Sequence, residues 1–174
     1  PSHTGFFCGT ANSLTILPIV KELPVRALPY ILLIIASSLS MLSSASTNVT
    51  SVATGLNHTC ALADTGGVFC WGLNQYGQLG DGSTNSSLNP VSVSGLGISA
   101  MSITNSGHQT CALLLNGGVK CWGYGTLTGD GTTGDQNGRR LTPVDVVGLN
   151  SGVIKIASNL SSTCALTNAG AVKC

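Results

Sequence analysis

The chain has 174 residues, a formal net charge of +1, 43% hydrophobic and 7% charged residues, and seven cysteines. So weak a charge excludes an electrostatic grip on nucleic acid or on an acidic membrane surface, and apolar residues that recur along the whole length exclude a disordered tail. Low charge combined with abundant Gly and β-branched residues points to an all-β, turn-rich protein.

The first 45 residues carry no repeat and read as an export signal. Lys21 and Arg26 precede an apolar stretch over 27–42, and Ser43-Ser44-Ala45 resembles a small-residue cleavage site. The other reading is an uncleaved anchor over 27–42, the one case in which membrane contact is expected. Against it stand Pro29, several serines, and a length short of the roughly 20 apolar residues a span needs. No methionine precedes Met41, and Val20 beside Lys21 fits an alternative bacterial start. The expected organisation is therefore an upstream segment over 1–19 that holds the odd Cys8, a signal peptide over 20–45, and an exported chain from about Ser46. Its expected place is outside the cell or in the cell envelope.

From residue 46 onward one phrase recurs. Thr59-Cys60-Ala61-Leu62 leads to Cys70-Trp71-Gly72, Thr110-Cys111-Ala112-Leu113 leads to Cys121-Trp122-Gly123, and Thr163-Cys164-Ala165-Leu166 leads to Cys174. A repeat of about 50 residues marks units that cannot bury their apolar surfaces alone and must stack. Within the first unit, a run over 48–54 ends at Gly55. Two runs over 58–63 and 68–72 flank the turn Asp64-Thr65-Gly66-Gly67, and Pro90 opens a fourth run. Four short strands in each unit predict a propeller blade. Alternation puts Cys60, Leu62, Val68 and Cys70 on one face and Ala61, Phe69 and Trp71 on the other. Both faces are apolar, as a blade wedged between two neighbours requires. The expected repeat core is Leu62, Trp71, Leu113, Trp122 and Leu166.

Each cysteine pair straddles a turn, so Cys60 falls opposite Cys70, Cys111 opposite Cys121 and Cys164 opposite Cys174, where a disulfide closes across a hairpin. An exported protein permits such bonds. Buried free thiols and a zinc site are the other readings. Zinc is opposed by the residues that replace His58 in the later units, Gln109 and Ser162. His58 and His108 lack a partnered nucleophile and read as residues bonding a turn. The Gly-rich stretch 74–82 lacks a phosphate-loop ending, and Asp130-Gly-Thr-Thr-Gly-Asp135 lacks the ligand alternation of a calcium loop. No catalytic residue, metal ligand, cofactor or small-molecule substrate is expected.

The strings Asn57-His-Thr-Cys-Ala-Leu, Cys70-Trp-Gly-Leu-Asn-Gln-Tyr-Gly-Gln-Leu-Gly-Asp-Gly82 and Pro90-Val91 resemble the regulator of chromosome condensation repeat, in the cysteine-paired form of exported bacterial proteins. The resemblance covers nearly all of 48–174. It implies a seven-bladed β-propeller of which about two and a half blades are present, so the chain reads as a fragment. The second unit departs from the pattern: it is two residues shorter between Trp122 and Asp130 and four longer before Pro143, in a stretch carrying Arg139 and Arg140. The expected function is a non-catalytic scaffold that binds an unidentified protein, with Arg139 and Arg140 as the candidate partner loop. The family also implies two alternatives: regulation of a GTPase by guanine nucleotide exchange, and secreted inhibition of an enzyme such as a β-lactamase.

Overall fold

The computed structural model describes residues 48–97, 99–124 and 128–174. The upstream segment over 1–19, the signal or anchor over 20–45 and the cleavage point near Ser46 lie outside the described residues. Among the described residues no helix is long and apolar enough to cross a membrane.

The described chain is all-β. The first sheet comprises β1 (Val49–Thr54), β2 (His58–Ala63), β3 (Val68–Gly72) and β4 (Ser87–Ser92). The second comprises β5 (Ala100–Asn105), β6 (Gln109–Leu114), β7 (Val119–Tyr124) and β8 (Arg139–Asp145). A third holds β9 (Val153–Ser158), β10 (Thr163–Thr167) and β11 (Val172–Lys173). Every sheet is an antiparallel meander in chain order, the form of a propeller blade.

The central hairpins follow from their turns. In the first, Gly66 N–H donates to the Ala63 carbonyl and Ala63 N–H to the Gly67 carbonyl, with Gly66 at φ 83°. This is a three-residue loop closed by a residue of positive φ, and it fixes the register of the strands it joins. Gly117 and Gly170 repeat the geometry. The register pairs Cys60 with Cys70, Leu62 with Val68 and Thr59 with Trp71, and likewise Cys111 with Cys121, Leu113 with Val119 and Thr110 with Trp122. In all three hairpins the cysteine Cα atoms lie 4.1 Å apart, with the sulfurs at bonding distance.

The glycine after each tryptophan has a structural cause. Gly72 lies at φ 109°, and a Cβ there would sit 2.5 Å from the Asn57 carbonyl oxygen. The chain leaving β3 therefore passes directly over the β1–β2 turn, where Leu73 N–H bonds the same carbonyl at 2.8 Å.

Sheets stack face to face through two apolar seams. In the first seam, Cys60, Leu62, Val68 and Cys70 meet Ala100, Ile103, Ala112, Leu114 and Trp122. In the second, Cys111, Leu113, Val119 and Cys121 meet Val153, Ile156 and Ala165. Backbone bonds tie the seams at both ends. Leu56 N–H donates to the Gly107 carbonyl and Gly107 N–H to the Leu160 carbonyl, while Ala100 and Val153 donate to the hairpin carbonyls of Gly66 and Gly117. Burial accordingly tracks position in the stack. Val52, on the first sheet's outward face, is 57% exposed, whereas its equivalents Ile103 and Ile156 are 6% and 7% exposed.

Candidate functional site

The expected repeat-core residues divide by their neighbours. Leu62, Leu113 and Trp122 are buried within seams, while Trp71 and Leu166 are half-buried on faces that meet no further sheet among the described residues. Trp122 Nε1–H donates to the Gln78 carbonyl at 3.0 Å, so the indole of the second sheet lies under the β3–β4 connection of the first. Gly80 makes room for it: a Cβ there would stand 2.6 Å from Trp122 Nε1.

His58 bonds across the seam and not to its own turn. Its Nε2 lies 2.9 Å from Thr110 Oγ1, and Thr110 gives its single proton to the Gln78 carbonyl at 3.0 Å. The hydroxyl can then only accept, which assigns the proton on His58 to Nε2. Nδ1 is buried with no hydrogen-bond partner. Burial, then the charge of nearby His108, pushes the His58 pKa down to about 4. The second seam repeats the contact with an uncharged residue, as Thr163 Oγ1 donates to Gln109 Oε1 at 3.4 Å. The sequence signal for this network is the threonine before the first cysteine of every unit; the changing residue beside it concealed the role.

The two β-connections differ in how they are held. In the first, buried Asn74 acts as a hub. Its Nδ2 donates to Asp81 Oδ1 and to the carbonyls of Ser83 and Asn85, each at 3.1 Å, and its Oδ1 accepts from Leu79 N–H at 2.9 Å. In the second, charge replaces the hub. Arg140 Nε donates to Asp130 Oδ2 at 2.6 Å and Arg139 Nε to Asp135 Oδ2 at 3.0 Å. Asp130 Oδ1 also accepts from Thr132 N–H, and Asp135 Oδ1 from the N–H groups of Asn137 and Arg139. Burial acts to raise both carboxyl pKa values, but these backbone and guanidinium bonds outweigh it and hold both below the usual carboxylate range. Arg139 and Arg140, expected in the candidate partner loop, instead open strand β8 and turn their guanidinium groups back onto the loop that precedes it. Both aspartates of the calcium-like string are engaged in the same pairs.

Beside this loop lies an aromatic group. Tyr76 stacks tilted on His108 with centroids 4.8 Å apart and meets Tyr124 edge-on at 5.3 Å. Tyr124 pairs with Arg139 across β7 and β8. The first connection crosses here: a Cβ on Gly77 would come 2.9 Å from the Arg140 carbonyl oxygen. Tyr76, His108 and Tyr124 are each partly exposed, and Thr132, Thr133, Gln136 and Asn137 are exposed on the loop. Two adjacent sheets thereby present one mixed aromatic and polar surface at the end opposite the hairpin turns.

Residues 49–78 and 65–113 match the regulator of chromosome condensation (RCC1) repeat. The probable E3 ubiquitin-protein ligase HERC4 of Rattus norvegicus is 32% identical over 126 residues, and human HERC2 is 32% identical over 125. The chain spans 12% of the length of the first and 2% of the second. Among solved structures, human WBSCR16 superposes with a TM-score of 0.65 at 23% identity, over 75% of this chain and 33% of that one. The yeast protein Prp20, in a complex with Kap60, superposes with a TM-score of 0.60 at 22% identity, over 75% of this chain and 30% of that one. Both likenesses concern the fold.

Proposed function

The chain belongs to the regulator of chromosome condensation repeat family, and from that membership we propose that it is a non-catalytic, exported propeller scaffold that binds a protein through the surface around Tyr76, His108 and Tyr124. The observation that carries the reading is the division of labour between seam and surface. The buried polar groups His58, Asn74, Thr110 and Gln109 bond within seams or connections. The tyrosines and the polar loop tip stand outside, on a rigid base. Tyrosine is enriched where a few residues carry most of an interface's energy, because it supplies large contact area with little entropy to lose.

Export is supported by the cysteines. Three pairs stand at bonding distance, and Cys174 is exposed, a position where a disulfide persists only in an oxidising compartment. A protein of the same fold binds proteins as well: Prp20p of Saccharomyces cerevisiae has binding properties toward Gsp1p and histones.

The test is capture of the chain's envelope or extracellular partner by cross-linking, followed by dissociation rates for variants. Tyr76→Ala and Tyr124→Ala are expected to raise the dissociation rate about tenfold or more, whereas Leu115→Ala, at the opposite end, leaves it unchanged. Equal effects at the two ends would remove the proposed surface. Accelerated nucleotide release from a GTPase, or inhibition of a β-lactamase, would replace the scaffold reading with one of the family's other activities.

A further inference from the structure

Asn-Gly occurs twice in the sequence, at Asn116-Gly117 and Asn137-Gly138. The fold places both in the same kind of turn. Gly117 N–H donates to the Leu114 carbonyl and Gly138 N–H to the Asp135 carbonyl, each at 2.9 Å, and both glycines have positive φ, 77° and 67°. Both asparagines are exposed. What differs is how firmly the two turns are held. The first, between β6 and β7, is fastened on several sides: Asn116 Oδ1 accepts from Gly118 N–H at 2.9 Å, the Gly117 carbonyl accepts from Val153 N–H at 3.0 Å, and a Cβ on Gly117 would come 2.8 Å from the Gly152 nitrogen. The second lies in the β7–β8 connection, where no hydrogen bond holds the side chain of Asn137 among the described residues. A Cβ on Gly138 would meet nothing nearer than the Thr133 carbonyl oxygen and Tyr124 Cε2, at 3.7 Å.

We propose that Asn137 is a site of spontaneous hydrolytic deamidation, selected over Asn116 by this difference, and that its conversion remodels the loop beside Tyr124. The reaction needs no enzyme. The Gly138 nitrogen loses its proton and attacks Asn137 Cγ; the N–Cγ bond forms, the Cγ–Nδ2 bond breaks, and the side-chain nitrogen leaves as ammonia, taking up a proton in place of the one lost. Water then opens the cyclic imide. Cleavage between Cγ and the Gly138 nitrogen leaves an aspartate, and cleavage between the Asn137 carbonyl carbon and that nitrogen leaves an isoaspartate, whose main chain runs through the side-chain methylene. Glycine favours the attack because it has no side chain to obstruct the nitrogen and is free to rotate. At 137–138 the approach releases the turn bond to Asp135. At 116–117 it must also disturb the Gly118 and Val153 bonds, the second of which ties the turn to the neighbouring strand β9. The product adds a carboxylate to a loop in which Asp130 and Asp135 are balanced by Arg140 and Arg139. Its isoaspartate form lengthens the turn in which Asp135 Oδ1 accepts from Asn137 N–H and Arg139 N–H, at 2.8 and 3.0 Å. That loop is the polar part of the surface proposed to bind a partner, but the modification does not depend on that reading.

The experiment follows the unsubstituted chain during incubation at mildly alkaline pH, where more of the Gly138 nitrogen is deprotonated. Peptide mapping with isoaspartyl methyltransferase labelling measures conversion at both asparagines, in folded protein and in reduced, urea-unfolded protein. In the folded chain Asn137 is expected to convert faster than Asn116 by about tenfold or more, the effect on a barrier of one or two further hydrogen bonds to break. Unfolding is expected to bring the two rates together. The ring resonances of Tyr124 are expected to shift as Asn137 converts, and to stay in place in Asn137→Gln carried through the same incubation. An Asn116 that converts as fast as Asn137 in the folded chain, or a preference that survives unfolding unchanged, overturns the selection by the fold. Conversion without movement of Tyr124, or equal movement in N137Q, overturns the remodelling of the loop. None of these readouts involves a partner, so their failure is distinct from failure of the proposed binding surface.

Discussion

Where the first and second sheets meet, a buried indole, a leucine and a histidine close the seam; where the second and third meet, a threonine stands for Leu79 and a glutamine for His58. The backbone ties are nevertheless the same: both seams have the turn-to-turn bond at one end and the hairpin-carbonyl bond at the other. The repeated frame therefore sets how sheets stack, and the variable interior sets how tightly. The largest differences should appear where the interiors differ most.

The largest concerns Trp122. Replacing a fully buried indole with alanine removes its packing and leaves the Gln78 carbonyl with one donor fewer, a loss of about 3–5 kcal/mol for a core aromatic. Trp71→Ala, on the half-buried outward face, is expected to cost about 1 kcal/mol. Denaturant unfolding compares the two directly. Similar losses would mean that the first seam does not depend on its indole, and the contrast between the seams would collapse.

Next in size is a pH effect confined to the first seam. The folded-state pKa of His58 is about 4, below its ordinary 6.5. Between these values the unfolded chain takes up a proton that the folded chain refuses, so stability falls as pH drops from about 6.5 and levels off near 4. The full contribution is about 3 kcal/mol, from 1.36 kcal/mol per unit. His58→Gln installs the residue that the second seam already uses, and should flatten this part of the stability profile. An unchanged slope in H58Q would assign the proton uptake to another group.

The threonines give a finer comparison. Thr110 is fully buried and links His58 to Gln78, whereas Thr163 is half-buried and holds Gln109 at 3.4 Å. Thr110→Val strands the buried His58 Nε2–H and leaves the Gln78 carbonyl with Trp122 Nε1–H alone, and is expected to cost about 2 kcal/mol; Thr163→Val should cost under about 1 kcal/mol. Amide exchange along β6 and β10 would register the difference locally.

Blade architecture and hairpin register were legible in the chain because both are short-range: a turn with glycine at its third position fixes which residues oppose, and alternation then fixes the faces. The family resemblance of Cys70 to Gly82 pointed to the same stack. What lay hidden was every bond between units. His58 and Thr110 are 52 residues apart, and only stacking brings them together. The same holds for Trp122 and Gln78, 44 residues apart. The loop before Pro143 hid its pairing differently. Asp130 and Asp135 resembled a turn or an ion loop and Arg139 and Arg140 a partner site, because linear order does not show that the hairpin closing at Tyr124 and Arg139 folds the two pairs of charges onto each other.

That loop supplies the smallest contrast, between two ion pairs of one connection. The Arg140–Asp130 pair is largely covered, with side chains 15% and 11% exposed, while Asp135 in the other pair is 37% exposed. Solvent and salt screen an exposed pair, and holding two long side chains in one geometry offsets most of what remains. Arg139→Ala should therefore leave the melting temperature unchanged, because the backbone N–H groups of Asn137 and Arg139 continue to hold Asp135. Arg140→Ala should cost about 1 kcal/mol, since it removes the only cation bonded to Asp130 among the described residues and leaves Thr132 as the carboxylate's main support. Lowering the pH should then narrow the gap between the two variants. Both carboxyls are held below their ordinary range, so their contribution is present above that range and disappears as the pH falls through the lowered folded-state values. Thermal melts at neutral and acidic pH read this out. A larger loss from Arg139→Ala than from Arg140→Ala would show that the exposed pair, and not the covered one, shapes the loop beneath the tyrosines.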